Sequence, residues 1–281
     1  MTRDQGSVIK RQNNAKGGSP ITDLRSLKLV VGWLYPRQMS TYGDRGNILT
    51  IYQRCRWRGI EVEVKEIDLK EKVDPTAVDF YFFGGGQDQA QKLISKDLQE
   101  YKKDNLRKAA RLGVVFFGIC GGYQLLGHYY RPAQENDLPG LGILDVVTVA
   151  GDTRMIGNII VELNEKLDPP TGQAGIKSEK LLVGFENHSG RTYLGKKAAS
   201  LGRVVVGHGN NGEDRTEGAY QGNVFGCYLH GPVLPKNPNF TDFLIEKALA
   251  RRYGKVRLSP LDNNLEMRAH EITIERARQT R

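Results

Sequence analysis

Three apolar runs dominate the first half of the chain: Leu27-Lys28-Leu29-Val30-Val31-Gly32-Trp33-Leu34, Val78-Asp79-Phe80-Tyr81-Phe82-Phe83 and Gly113-Val114-Val115-Phe116-Phe117-Gly118. Strands that are apolar nearly throughout, rather than at every second residue, are buried on both faces. Between them lie Ile48 to Trp57, which reads as a helix after the turn-like Tyr42 to Gly46, and Ile60 to Val64, which alternates as a strand. A polar helix from about Gln89 to Leu112 precedes the third run. Strand, helix, strand, helix at this spacing predicts an α/β fold with a mostly parallel central sheet, right-handed crossovers and helices on both faces.

The second half has a different grain. Ile143 to Ala150, Met155 to Leu163, Leu181 to Glu186 and Val204 to Gly207 are short apolar runs separated by Gly, Asn, Asp and Pro. They are expected to pair as antiparallel hairpins added to the main sheet. Asn223 to Leu229 is a further strand ending at His230, and Phe240 to Tyr253 has helical periodicity. Residues 1–26 are polar and lack apolar periodicity, which reads as a flexible tail. The expected division is a domain over 27–255, followed by a C-terminal helix or interaction arm over 256–281.

With 281 residues, the chain can build one large core. It has no apolar run of about 18 residues that could cross a membrane, and its first residues lack the apolar stretch of a secretory signal. The cytoplasm is the expected compartment. A formal charge of +9 raises the question of nucleic acid, but much of the excess sits near the two ends and no basic stripe is interleaved with aromatics. It reads as a solvated surface that suits an acidic partner, not as a nucleic-acid site. Cys55, Cys120 and Cys227 are too few and too widely spaced for a disulfide framework or a metal pair.

One of these cysteines has a chemical context. Gly118-Ile119-Cys120-Gly121-Gly122 follows an apolar strand and precedes a helix, the layout of a nucleophile elbow. A sharp strand-to-helix turn lifts the sulfur out of the sheet, and the helix start favours thiolate over thiol. The Gly121 N–H is placed to stabilise an oxyanion. By itself the pentapeptide also fits a buried cysteine in a glycine-rich turn. Gly84-Gly85-Gly86 ends another strand and can supply a second oxyanion donor, assigned to Gly85. His230 ends a third. In an open parallel sheet these strand ends share one crevice, where a histidine can pair with the thiolate and protonate a leaving amine. His128, within the expected helix, and His188, His208 and His270 are the competing histidines.

Gly-Ile-Cys-Gly-Gly-Tyr-Gln, the upstream glycine triplet and Tyr228-Leu229-His230-Gly231-Pro232 resemble class I glutamine amidotransferases of the cobyric-acid-synthase-like type. Tyr42 to Asn47, Gly140 to Asp145 and Phe185 to Gly190 are similar to the GatD-type subunits of lipid II isoglutaminyl synthases. The resemblance runs from about Leu27 to Leu265 and implies the flavodoxin-like three-layer fold of that class. It also implies that Cys120 attacks the carboxamide of L-glutamine and that His230 serves as base and acid. Arg154 would grip the glutamine α-carboxylate, for which a bidentate guanidinium is suited. Gln124 and Asn187 would line the substrate site, with His188 beside them. The implied partner is a MurT-like Mur ligase subunit in a heterodimer, using ATP and Mg to amidate the D-glutamate α-carboxylate of lipid II at the inner face of the cell membrane. No cofactor or metal is expected in this chain, which contains no G-x-x-x-x-G-K-[ST] signature.

The sequence departs from many class I amidotransferases at His230-Gly231-Pro232, where no glutamate stands two residues after the histidine to orient it. Either a Cys–His dyad suffices or another carboxylate orients the ring, from this chain or, as the resemblance implies, from the partner. The competing functions are an amidotransferase for a cobyrinic-acid-type carboxylate, a stand-alone γ-glutamyl hydrolase and a non-catalytic scaffold.

Overall fold

The computed structural model describes residues 19–134, 136–167, 169 and 180–279, apart from the Tyr42 side chain. The first half comprises β1 (Lys28–Leu34), α1 (Arg45–Trp57), β2 (Glu61–Ile67), β3 (Phe80–Phe83), α2 (Asp88–Asp97), α3 (Lys103–Arg111), β4 (Val115–Ile119) and α4 (Gly121–Leu126). The second comprises β5 (Tyr129–Arg131), β6 (Leu138–Pro139), β7 (Val146–Leu163), β8 (Leu181–Leu194), β9 (Gly202–Val206), β10 (Thr216–Glu217), β11 (Ala219–Gln221), β12 (Val224–Cys227), α5 (Pro238–Tyr253) and α6 (Asn264–Gln279).

The main sheet has the order β11-β12-β4-β3-β1-β2. All its pairs are parallel except β11 with β12. The three apolar runs supply β1, β3 and β4, and their consecutive side chains divide between two helical layers. Phe117 meets Phe240 of α5 edge-on at 5.8 Å, in a core shared with Ile48 and Ile51 of α1. Its neighbour Phe116 belongs to the opposite core, with Tyr81, Leu106 of α3 and Leu126 of α4. The expected three-layer α/β arrangement is therefore present.

The polar helix expected from Gln89 to Leu112 is interrupted by a π-helical turn over Leu98–Lys102. The cause lies in the core. Lys102 is 1% exposed, and its Nζ lies 2.5 Å from Asp97 Oδ2. That spacing of five residues matches the π period. Tyr35 donates to the same carboxylate oxygen at 2.8 Å.

The antiparallel strands form a second sheet, β10-β9-β7-β5-β6 with β8 on β7, instead of lengthening the first. The runs expected as separate strands before and after residue 152 are one strand, β7, whose pairing with β8 shifts between Ala150 and Met155. This irregularity displaces Gly151 to Arg154 from the ladder. β8 extends eight residues past the expected end at Glu186, to Leu194. An isolated antiparallel bridge, Phe185 with His230, joins the two sheets.

The N-terminal segment differs from expectation, and the C-terminal one takes the helical form of the two expected. Residues 1–18 of the expected tail lie outside the described residues, but Ile21 bridges Val256 and Leu24 is buried. The last part of that segment therefore belongs to the domain. At the other end α6 packs Ile274 and Ala277 against Ile160 and Val183 of the second sheet, as a docked helix. Among the described residues no helix is long and apolar enough to cross a membrane.

Candidate active site

Cys120 has φ 50° and ψ −107°, a backbone region that costs a non-glycine residue energy and marks nucleophile elbows. Its N–H donates to the Cys227 carbonyl at 2.9 Å, and its carbonyl accepts from the Gln124 N–H at 2.9 Å. The turn is thus held between β12 and α4. A Cβ on Gly118 would lie 2.6 Å from Leu126 Cδ1, and one on Gly122 only 2.1 Å from the Phe83 carbonyl oxygen. Both glycines are required by close approach. Helix α4 ends at Leu126, so His128 is not helical; it pairs at the surface with Asp145 at 2.8 Å.

The glycine triplet crosses beside the elbow, where Gly122 N–H donates to the Gly84 carbonyl at 3.1 Å. Gly85 is not the second oxyanion donor, because its N–H donates to Asp44 Oδ2 at 2.6 Å. Gly86 is better placed: its nitrogen lies 3.1 Å from where a Cβ on Gly121 would sit. The Gly121 N–H acts on the Cys120 sulfur in the sense that favours the thiolate.

His230 is fully buried just past the end of β12, the strand next to β4, and exchanges backbone hydrogen bonds with Phe185 at 2.8 and 3.2 Å. Its Cε1 lies 2.9 Å from where a Cβ on Gly85 would stand, so the imidazole packs against the glycine loop. Burial pushes the Cys120 thiol up to about 12, helped by the Asp44 charge and opposed by the Gly121 N–H and Arg154. Burial and Arg154 pull His230 down to about 4. With neither charge solvated there, thiol and neutral imidazole are favoured over the expected ion pair.

Cys120 lines a cavity of about 450 Å³, together with Thr41, Gly86, Asp88, Gln91, Gln124, Tyr130, Arg154 and residues 187–190. Arg154 reaches it from the β7 irregularity, and its Nε donates to Asn187 Oδ1 at 2.5 Å across to β8. That contact leaves both terminal amino groups for a ligand. Gln124 is also at the wall, but both ends of its amide are engaged: Oε1 accepts from Gln91 at 2.9 Å, and Nε2 donates to Tyr228 at 3.1 Å. His188 lies flat on Tyr228, ring centroids 3.5 Å apart, with Nδ1 against the Gly190 carbonyl at 2.9 Å. Burial pulls it down to about 3, so it is neutral. His208 and His270 lie elsewhere, with the His208 N–H on Glu186 and the His270 ring on the Lys236 carbonyl.

Sequence reasoning missed Gln91, Tyr130 and Asp44. The first two stand in segments with no motif. Asp44 lies within the quoted Tyr42 to Asn47 run, whose unusual Gly-Asp-Arg-Gly content was the available signal.

Residues 30–238 match the CobB/CobQ-like glutamine amidotransferase domain. The chain is 40% identical over 240 residues to the subunit GatD of lipid II isoglutaminyl synthase (glutamine-hydrolyzing) from Staphylococcus aureus, covering 85% of this chain and 92% of that protein. It is 39% identical to the corresponding Streptococcus pneumoniae subunit, covering 81% and 83% of the two chains. Among solved structures, PurLQS from Thermotoga maritima superposes with a TM-score of 0.51 at 16% identity, over 82% of this chain and 98% of that one, a likeness of fold. Elbow, glycine loop and cavity thus stand within a sequence match that spans most of the chain, which belongs to the CobB/CobQ-like glutamine amidotransferase family.

Proposed function

We propose that this chain hydrolyses L-glutamine at Cys120 and passes the ammonia to an ATP- and Mg-dependent MurT-like Mur ligase subunit. That partner amidates the D-glutamate α-carboxylate of lipid II to D-isoglutamine at the cytoplasmic face of the membrane. The observation that carries the reading is Cys120 at positive φ on the floor of a cavity whose rim holds Arg154. The acceptor and partner rest on the 40% identity to GatD over nearly its whole length.

The chemistry follows from the residues. Arg154 binds the glutamine α-carboxylate, which places the side-chain amide over Cys120. The thiol proton passes to His230 as sulfur bonds to the amide carbon. The developing oxyanion takes the N–H groups of Gly121 and Gly86. His230 then returns the proton to the leaving nitrogen, the C–N bond breaks, and ammonia departs from a γ-glutamyl thioester. Water, deprotonated by His230, cleaves the thioester to glutamate and free thiol.

The test is glutamine hydrolysis and lipid II amidation by the chain co-expressed with its Mur ligase partner. Cys120→Ser is expected to abolish glutamine-dependent amidation, to leave the complex intact and to leave amidation from added ammonium chloride unchanged. Full glutamine-dependent activity in Cys120→Ser overturns the assignment of the nucleophile. Turnover of glutamine without any amidation of lipid II overturns the acceptor.

A further inference from the structure

Asp44 sits at the N-cap of α1, where an aspartate ordinarily accepts a hydrogen bond from the first turn of its own helix. It makes no such bond. Its side chain is fully buried and turned into the site. Oδ2 accepts the Gly85 N–H at 2.6 Å, and Oδ1 faces His230 Nδ1 at 4.0 Å. Oδ1 is buried with no hydrogen-bond partner among the described residues, a costly state for a carboxylate oxygen.

The turn that carries Asp44 is fastened to the histidine turn. The Asn47 side chain accepts the Leu234 N–H at 2.9 Å, and Gly46 packs so closely on Pro232 that a Cβ there would lie 2.4 Å from its Cγ. Thr41 N–H donates to the Gly85 carbonyl at 3.2 Å. Asp44, the glycine loop and His230 are therefore tied together by these contacts. The gap to Nδ1 exceeds a hydrogen bond by about 1 Å, and such contacts commonly tighten when substrate binds.

Resting on the assignment of Cys120 and His230 as the reacting pair, we infer that Asp44 is the positioning carboxylate of the site. One oxygen fixes the Gly84–Gly86 loop, so that Gly86 rather than Gly85 presents its N–H to the oxyanion. The other accepts a hydrogen bond from the Nδ1–H of His230, leaving Nε2 to exchange the proton of the thiol. Asp44 thus fills the role of the glutamate that is absent after His230, from a segment far away in the sequence. The other groups facing this pair are Arg154 from β7, His188 from β8, and the thiols of Cys120 and Cys227.

The charge of Asp44 also opposes ionisation of Cys120 directly, and this makes the test discriminating. If Asp44 only repelled the thiolate, Asp44→Asn would turn glutamine over faster. A positioning role predicts a fall in kcat of about tenfold or more, with KM changed far less. The amide oxygen of the asparagine still accepts the Gly85 N–H and keeps the loop. Asp44→Glu should recover part of the lost rate. All variants are assayed in the complex, across pH 5.5 to 9 on the order of half-unit steps; loss of positioning also shifts the acid limb of the profile. In the unsubstituted chain, ¹⁵N spectra of its histidines should show His230 with the proton on Nδ1, a readout that does not depend on how the variants fold. Unchanged kcat and profile in Asp44→Asn, or a proton on Nε2, overturns the inference. Cys120→Ser, assayed alongside, separates that failure from failure of the proposed function, since only the latter leaves Cys120→Ser active.

Discussion

Arg154 Nε donates to Asn187 Oδ1 at 2.5 Å, across the β7–β8 ladder where the pairing slips between Ala150 and Met155. The contact fixes the guanidinium at the cavity rim with its terminal amino groups available. Arg154→Ala is expected to raise KM for glutamine about 10- to 100-fold, with a smaller effect on kcat. Arg154→Lys should recover little, since a point charge does not reproduce the fork. Asn187→Ala, which only loosens the arginine, should raise KM less than Arg154→Ala does. Steady-state kinetics with varied glutamine checks all three.

The elbow makes a steric prediction. A methyl group on Gly122 would stand 2.1 Å from the Phe83 carbonyl oxygen, an atom of the sheet backbone that cannot yield. Gly122→Ala should destabilise the fold by about 2–4 kcal/mol and abolish glutamine hydrolysis. A melting temperature equal to that of the unsubstituted protein contradicts this.

Away from the site, Asp242 of α5 accepts four hydrogen bonds from two buried arginines of the α1 region. Arg54 gives Nε and Nη2 at 2.7 and 2.8 Å, and Arg58 gives Nη1 and Nη2 at 3.1 and 2.6 Å. Removing the carboxylate leaves two guanidinium groups buried together, with only the Glu266 carboxylate 4.0 Å from Arg54 to offset them. Asp242→Ala should cost about 3–5 kcal/mol in chemical denaturation, more than a surface ion pair such as Arg203–Glu162, worth about 1 kcal/mol or less.

Glu217 gives the stability a pH dependence. It is fully buried, Oε1 accepts the Tyr228 N–H at 2.5 Å, and burial raises its pKa from 4.5 to about 8. Between those values the folded chain holds a proton that the unfolded chain has released. Glu217 therefore makes the protein less stable as pH rises from about 4.5 to about 8. Glu217→Gln should remove this component of the slope, measured as denaturation midpoints at pH 5 and on the order of pH 8. His188 and His230, held neutral below their ordinary value by burial, contribute slopes of the opposite sign at lower pH in both proteins. An identical slope in the two proteins overturns the assignment to Glu217.

The apolar runs of β1, β3 and β4 specify a doubly covered parallel sheet. Such a sheet buries Phe116 and Phe117 in opposite layers. The glycines around Cys120 likewise marked the elbow, because the steric demand that creates them acts within a few residues. Local rules therefore determined where a nucleophile stands. They did not determine what faces it. Gly85 looked like an oxyanion donor until the fold brought Asp44 to its N–H. Gln124 is held at the cavity wall by Gln91 and Tyr228, one at each end of its amide. Arg154 owes its place to a slip in strand register, and His230 owes its backbone anchor to a bridge from a second sheet. Each of these depends on a hydrogen bond between segments distant in sequence, and such a bond forms only once register and layer packing have set its length. The sequence by itself determined the sheet and the cysteine; the tertiary structure alone decided which carboxylate, which amide and which arginine surround it.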